Sequence, residues 1–144
     1  MTRLARLQAL AKTYATHLGT LGQMVEEWKV LGEGGSLPLR VATEKPGRVA
    51  VEFLGEKFLV ELTLEAQMAP IQPHRGVLTF SRVKNELLDK RVRIAQLRVN
   101  TNPDIVDGST PGFVGETPTQ RRTATEILLH WLCLAFESLP PPAQ

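Results

Sequence analysis

Four basic residues, Arg82, Lys84, Arg91 and Arg93, stand in alternating pairs in two β-rich stretches, residues 77–84 and 91–99. The chemistry open to them is the capture of an anion or of an acidic partner. Folded as a hairpin around a six-residue loop, residues 85–90, the two stretches bring Leu78 to Leu97 and Phe80 to Ala95 at the base. Nearer the tip the same register opposes Arg82 to Arg93 and Lys84 to Arg91. Like charges facing each other across a sheet are unfavourable by some tenths of a kcal/mol, so the cluster calls for nearby acids or an anionic partner. A phosphate backbone would suit it, with Lys90, Arg98, Arg121 and Arg122 extending the track. Phe80 is the one aromatic there and belongs to the core, so stacking on single-stranded bases has no support. Glu86 and Asp89 offer the plainer alternative of a solvated, balanced strand face. Leu87 and Leu88 are unusual in an exposed loop, and a helix capped by Asn85 over residues 86–98 is the rival reading.

Other constellations carry less. His130 and Cys133, three apart on a helix, supply two ligands where structural zinc needs about four, and His17 and His74 have no matching spacing. No metal is expected, and Cys133, deep in an apolar helix, reads as packed and inert. Asn100, Asn102 and Asp104 imitate the start of a calcium loop, but Ile105 stands where the glycine belongs and Pro111 where the closing glutamate belongs. Glu52 and Glu61 share a strand face and so could form an acid–base pair, yet Arg40 opposite Glu52 makes a plain charge pair of it. No catalytic residue and no cofactor is assigned.

The elements that hold these residues follow from periodicity. Residues 48–65 alternate as a strand pair. A two-residue turn at Gly55-Glu56 sets Phe53 opposite Phe58, Val51 opposite Val60 and Val49 opposite Leu62. A strand over residues 39–43 joins through a three-residue loop, with Leu39 on Phe53, Val41 on Val51 and Arg40 on Glu52. Leu4, Leu7, Ala11, Tyr14, Leu18, Leu21, Val25 and Trp28 recur at three and four, giving an N-terminal helix capped by Thr2, with a kink or short break near Gly19 and Gly22 where Thr20 and Gln23 could form a capping box that starts a second helix. The uncharged flanks Gln8, Leu10 and Ala15 argue for packing on the sheet rather than a two-stranded coil. The glycine-rich residues 32–36 follow a helix and precede a strand, the reverse of a phosphate loop, and read as a hinge. Residues 66–76, with Pro70 and Pro73, form a surface connection, and residues 100–116 form a long loop, a lid or a mobile segment. Thr117-Pro118-Thr119-Gln120 starts a last helix running to about Ser138. Ala124, Ile127, Leu128, Trp131 and Ala135 cover the sheet. A second face, Leu129, Leu132, Cys133, Phe136 and Leu139, needs the first helix or a second copy of the chain.

The expected architecture is α+β in a single domain, residues 1–144: an N-terminal helix, a five-stranded antiparallel meander and a C-terminal helix, both helices on one face. No apolar run approaches the roughly 18 residues that span a bilayer, so a soluble protein without a membrane partner is expected. Bases and acids balance over residues 1–74, whereas bases lead nine to five over residues 75–122, so an anionic partner should meet the later half. One cysteine fits a reducing, cytoplasmic setting. The N-terminal Arg3, Arg6 and Lys12 resemble the charge bias of an organelle presequence, but the apolar stripe runs unbroken into the domain. Interaction features outnumber chemistry. The expected function is therefore a small non-enzymatic binding or adaptor protein acting on an unknown protein, as a homodimer through Leu129, Leu132 and Phe136. Two alternatives stand beside it. One is a nucleic-acid binder using Arg82, Lys84, Arg91 and Arg93, and the other a small-molecule binder or enzyme with a pocket between helices and sheet, gated by residues 100–116.

Overall fold

The alternation in residues 48–65 folds into β2 (Arg48–Phe53) and β3 (Glu56–Ala66). In the computed structural model, which describes residues 2–35, 37–66, 74–108 and 111–137 (backbone alone at 107, 108 and 111), the turn is Leu54-Gly55 rather than Gly55-Glu56. Both central residues have positive φ, 52° and 80°, as a type I′ turn requires. Leucine is a poor residue for that conformation, so a Gly-X loop of type II′ at Gly55-Glu56 is the pattern the sequence offers. The pairing becomes Phe53 with Glu56, Val51 with Phe58 and Val49 with Val60. The slip is two residues, an even number, so every side chain keeps its face. Val49, Val51, Phe58 and Val60 are wholly buried.

β1 (Leu39–Lys45) meets β2 in the expected register, Leu39 on Phe53, Arg40 on Glu52 and Val41 on Val51. β4 (His74–Asn85) and β5 (Lys90–Val99) form the second long hairpin, so residues 90–98 are strand, not helix. A sixth strand, β6 (Ile105–Gly108), lies within the expected loop, and the sheet runs β1 to β6 in order, every neighbour antiparallel. Only Ile105 and Val106 there favour a strand, too few to read against Pro103 and Gly108. Ile105 is buried; its N–H donates to the Glu116 carbonyl at 2.9 Å and its own carbonyl accepts from Gly115 at 2.7 Å, so this part of the segment is sewn to the sheet.

α1 (Arg3–Glu33) is one unbroken helix, started by Thr2, whose Oγ1 accepts from the Ala5 N–H at 3.0 Å. No break interrupts it at Gly19 and Gly22. Thr20 Oγ1 donates back to the Thr16 carbonyl instead of capping forward, and burial of Leu21, Met24, Val25 and Trp28 outweighs the cost of two glycines, about 1 kcal/mol each. α2 (Arg121–Glu137) begins after a Thr117–Gln120 turn, three residues later than the Pro118 start expected. Both helices cover the face of Val49, Val51, Phe58, Val60, Phe80 and Leu97. Trp28, Trp131, Phe58, Phe80 and Met24 fill the space between helices and sheet, with Trp131 stacked on Phe80 at 5.2 Å and edge-on to Trp28 at 6.2 Å. Cys133 is exposed, not packed, while Leu132 is buried and Phe136 packs on Phe53 and Phe58. The connection at residues 67–73 and Leu139 lie outside the described residues.

His17 is the one buried imidazole among the described residues, and it sits against Gly76, where a Cβ would come within 2.7 Å of Nδ1. Only glycine leaves room for this close approach of α1 to β4. Burial alone pushes the His17 pKa below its ordinary value. The neutral form is thus favoured in the folded chain, and its stability is complete above the unfolded value, about 6.5, and declines as pH falls below it. The expected result is a urea midpoint that drops between about pH 6.5 and 5 in the wild type. The His17→Leu variant should lose most of that slope; an unchanged slope would place its origin elsewhere.

Candidate functional site

The meander gives the molecule two distinct ends. Phe58 pairs with Arg82, and Arg82 reaches the Ala135 carbonyl, so the β2–β3 turn, the β4–β5 tip and the last turn of α2 share one end. The opposite end holds the β1–β2 turn, where the Tyr14 hydroxyl lies over Gly47. Residues 3–13 of α1 continue past that turn, and none of them is buried.

The four bases singled out by sequence do not converge. A bulge between Phe80 and Ser81 advances the β5 partner by one residue, so Arg82 faces Val92 and Val83 faces Arg91; the expected Arg82–Arg93 and Lys84–Arg91 oppositions do not form. Arg82 points into the core with Leu78 and Phe80 and is 8% exposed. Its Nη2 donates to the Ala135 carbonyl at 2.9 Å, and its guanidinium lies 5.5 Å from the Phe58 ring centre and 5.3 Å from that of Phe136. A cation there satisfies a carbonyl left open in the final turn of α2 and suits the negative end of the helix. Arg91 lies between two carboxylates, Glu61 and Asp89, which raise its pKa in that order. Lys84 and Arg93 are exposed and, with Lys90, have no ion pair among the described residues.

The solvent face of the sheet is laced by charge. Glu44 holds Arg48 at 3.0 Å and Lys57 at 3.3 Å, Lys57 holds Glu86 at 2.6 Å, and Glu65 accepts from Arg75 at 2.7 Å and Arg98 at 2.9 Å. The Arg98 and then the Arg75 guanidinium keep the Glu65 carboxyl below its ordinary range, and Lys57 does the same for Glu86. Glu52 pairs loosely with Arg40 at 4.0 Å while Glu61 takes Arg91, so these two acids serve separate partners and form no acid–base pair. No group of three potential metal ligands occurs among the described residues. Exposed pairs of this kind are worth about 0–1 kcal/mol each, and their consequence is positional.

That consequence is clearest at the β4–β5 tip. Asn85 Oδ1 accepts from the Leu88 N–H at 3.2 Å, the Glu86 carbonyl accepts from Asp89 at 3.3 Å, and Asp89 sits at φ 52°. Lys57 fixes Glu86 and Arg91 fixes Asp89 from below. The turn so fixed presents Leu87, 96% exposed, and Leu88, 63% exposed. Beside it opens a cleft of about 690 Å³, lined by Leu37, Leu39, Phe53 and Leu54 and by the charged Arg40, Glu52, Glu56, Lys57 and Glu86, with Leu54 itself 61% exposed. Both acids of the tip are occupied within the chain, which leaves Lys84, Lys90 and Arg93 to set its outward charge. The sequence singled out the two leucines as odd in an exposed loop and kept a helix as the rival of the hairpin; the cleft had no sequence signal, because the α1–β1 link and two turns form it together. Comparison with known proteins returns no matching family model, no matching curated protein and no matching solved structure.

Proposed function

We propose that this chain is a non-enzymatic binding protein that takes an acidic, partly apolar segment of another protein at the end formed by the β2–β3 turn and the β4–β5 tip. The observation that carries this reading is the pair Leu87 and Leu88, held out to solvent on a turn whose conformation is fixed by two ion pairs and an Asn85 hydrogen bond. Large apolar side chains exposed together mark contact surfaces. A turn already ordered loses little freedom on binding, so more of the burial energy is realised as affinity. Lys84, Lys90 and Arg93, on the two strands that carry the tip, favour an acidic partner and disfavour a basic one. The cleft beside them, with Leu39 and Phe53 in its lining, has room for the side chains of an extended segment. The nucleic-acid reading keeps only Lys84 and Arg93 of its four bases as free charges, and the pocket reading meets a filled core. Of the residues expected to join two copies through α2, Leu132 and Phe136 are engaged within the chain and Leu129 is half-exposed.

A displayed library of random peptides tests the proposal. Enrichment of peptides mixing acidic and apolar residues is expected, with binding at least ~10-fold weaker to the Leu87→Ser/Leu88→Ser variant, since losing about 1.4 kcal/mol already costs a factor of ten. Peptides that bind wild type and variant alike, or no enrichment at all, would remove the proposal.

A further inference from the structure

We propose that two copies of this chain pair antiparallel through α1, with Leu4 and Leu7 of each copy seated in a groove on the other. The groove, about 210 Å³, opens between α1 and the β1–β2 hairpin and is lined on the helix side by Leu18, Gly22 and Val25 and on the hairpin side by Pro46 and Val49. Leu4 and Leu7, 66% and 63% exposed, stand on the part of the same helix that passes beyond the sheet. At about 100° per residue, Leu4, Leu7, Leu18, Gly22 and Val25 fall within about 60° of one another, so projecting side chains and recess share one helix face. A surface carrying both its own projection and its own recess is self-complementary, the requirement of a two-fold contact.

Placing Leu7 against Leu18, which sets Leu4 over Leu21 and Gly22, fixes the register. The two-fold falls between Lys12 and Thr13, Ala11 of one copy meets Tyr14 of the other, and the paired stretch is about 28 Å long. Lys12 lies about 100° round the helix from Ala11, away from the contact. The charges agree with this direction. Ahead of Glu26 the helix carries Arg3, Arg6 and Lys12 and no acid, while its last part carries Glu26, Glu27 and Glu33 with Lys29 the one base among them. Antiparallel pairing lays the basic first part of one copy toward the net-acidic last part of the other, whereas parallel pairing would set base beside base. The flanking Gln8, Leu10 and Ala15 are uncharged and oppose nothing.

Gly22 supplies a variant that separates pairing from folding. A Cβ there meets nothing within 4 Å in the single chain, so Gly22→Gln leaves the helix intact or firmer while filling the recess. Light scattering at about 50 µM, a level suited to a small helix–helix contact, should give twice the chain mass of 16.0 kDa for wild type. Leu4→Ser/Leu7→Ser and Gly22→Gln should each give the single-chain mass, with melting temperatures no lower than that of wild type measured where it is dissociated. A wild-type monomer would overturn the pairing, and if that monomer sedimented with phosphatidylglycerol vesicles through Leu4 and Leu7, the face would belong to a membrane surface. A dimer that survives Gly22→Gln would overturn the groove, and one that survives the leucine changes would place the contact elsewhere.

Discussion

Arg82→Ala is expected to lower stability by about 3 kcal/mol, and Arg82→Met by about 1 kcal/mol or less. Three losses combine in the alanine variant. The stem that fills the space between Phe58 and Phe136 disappears, both ring contacts go, and the Ala135 carbonyl loses its 2.9 Å donor. Methionine keeps the stem volume and offers sulfur to the rings. It also removes a buried charge whose Nε has no partner among the described residues, and so relieves a desolvation cost. Urea unfolding of the two variants decides between packing and charge. Equal losses in both would mean that the charge, not the stem, holds the end of α2 on the sheet.

The largest single effect is expected at the centre of the core, where Trp131→Ala should cost about 4 kcal/mol. Trp131 is wholly buried, stacks on Phe80 and meets Trp28 edge-on, so its removal opens a void under both helices. Phenylalanine substitutions at the two tryptophans give a finer comparison. Trp28 Nε1 donates to the Ala124 carbonyl at 2.8 Å, tying α1 to α2, while Trp131 Nε1 is buried with no partner among the described residues. Trp28→Phe should therefore cost about 1 kcal/mol more than Trp131→Phe, the net worth of one hydrogen bond. Circular dichroism during unfolding reads the difference without relying on the altered chromophores, and the reverse order would contradict the assignment of the two indoles.

Much of this was legible in the chain, and where it was not the reasons are local. Period-two alternation gave β1, β2 and β3 their faces, and those faces survived a turn misplaced onto Gly55-Glu56 because the error was even. The β5 bulge had no such protection: one extra residue, Ile94, moved every partner beyond Phe80 and dissolved the opposed bases. Bulges carry no reliable sequence mark when no glycine announces them. β6 was hidden by its two-residue apolar signal, and the unbroken α1 shows tertiary burial overriding the local preference of Gly19 and Gly22. Arg82 was taken for surface because arginine is rarely buried, although its place in the alternation with Leu78 and Phe80 pointed inward. The tip was half legible. Leu87 and Leu88 stood out as misplaced, but the pairing of Glu86 with Lys57 and of Asp89 with Arg91 depends on strands far apart in sequence.

The most direct measurement pairs two quantities on one variant, Leu87→Ser/Leu88→Ser: the urea unfolding midpoint and the affinity for peptides selected on the wild-type chain. The expected result is an unchanged midpoint, because neither leucine touches the core, with affinity reduced at least ~10-fold. A lowered midpoint with affinity retained would make the two leucines part of the scaffold and contradict a binding surface at this end of the sheet.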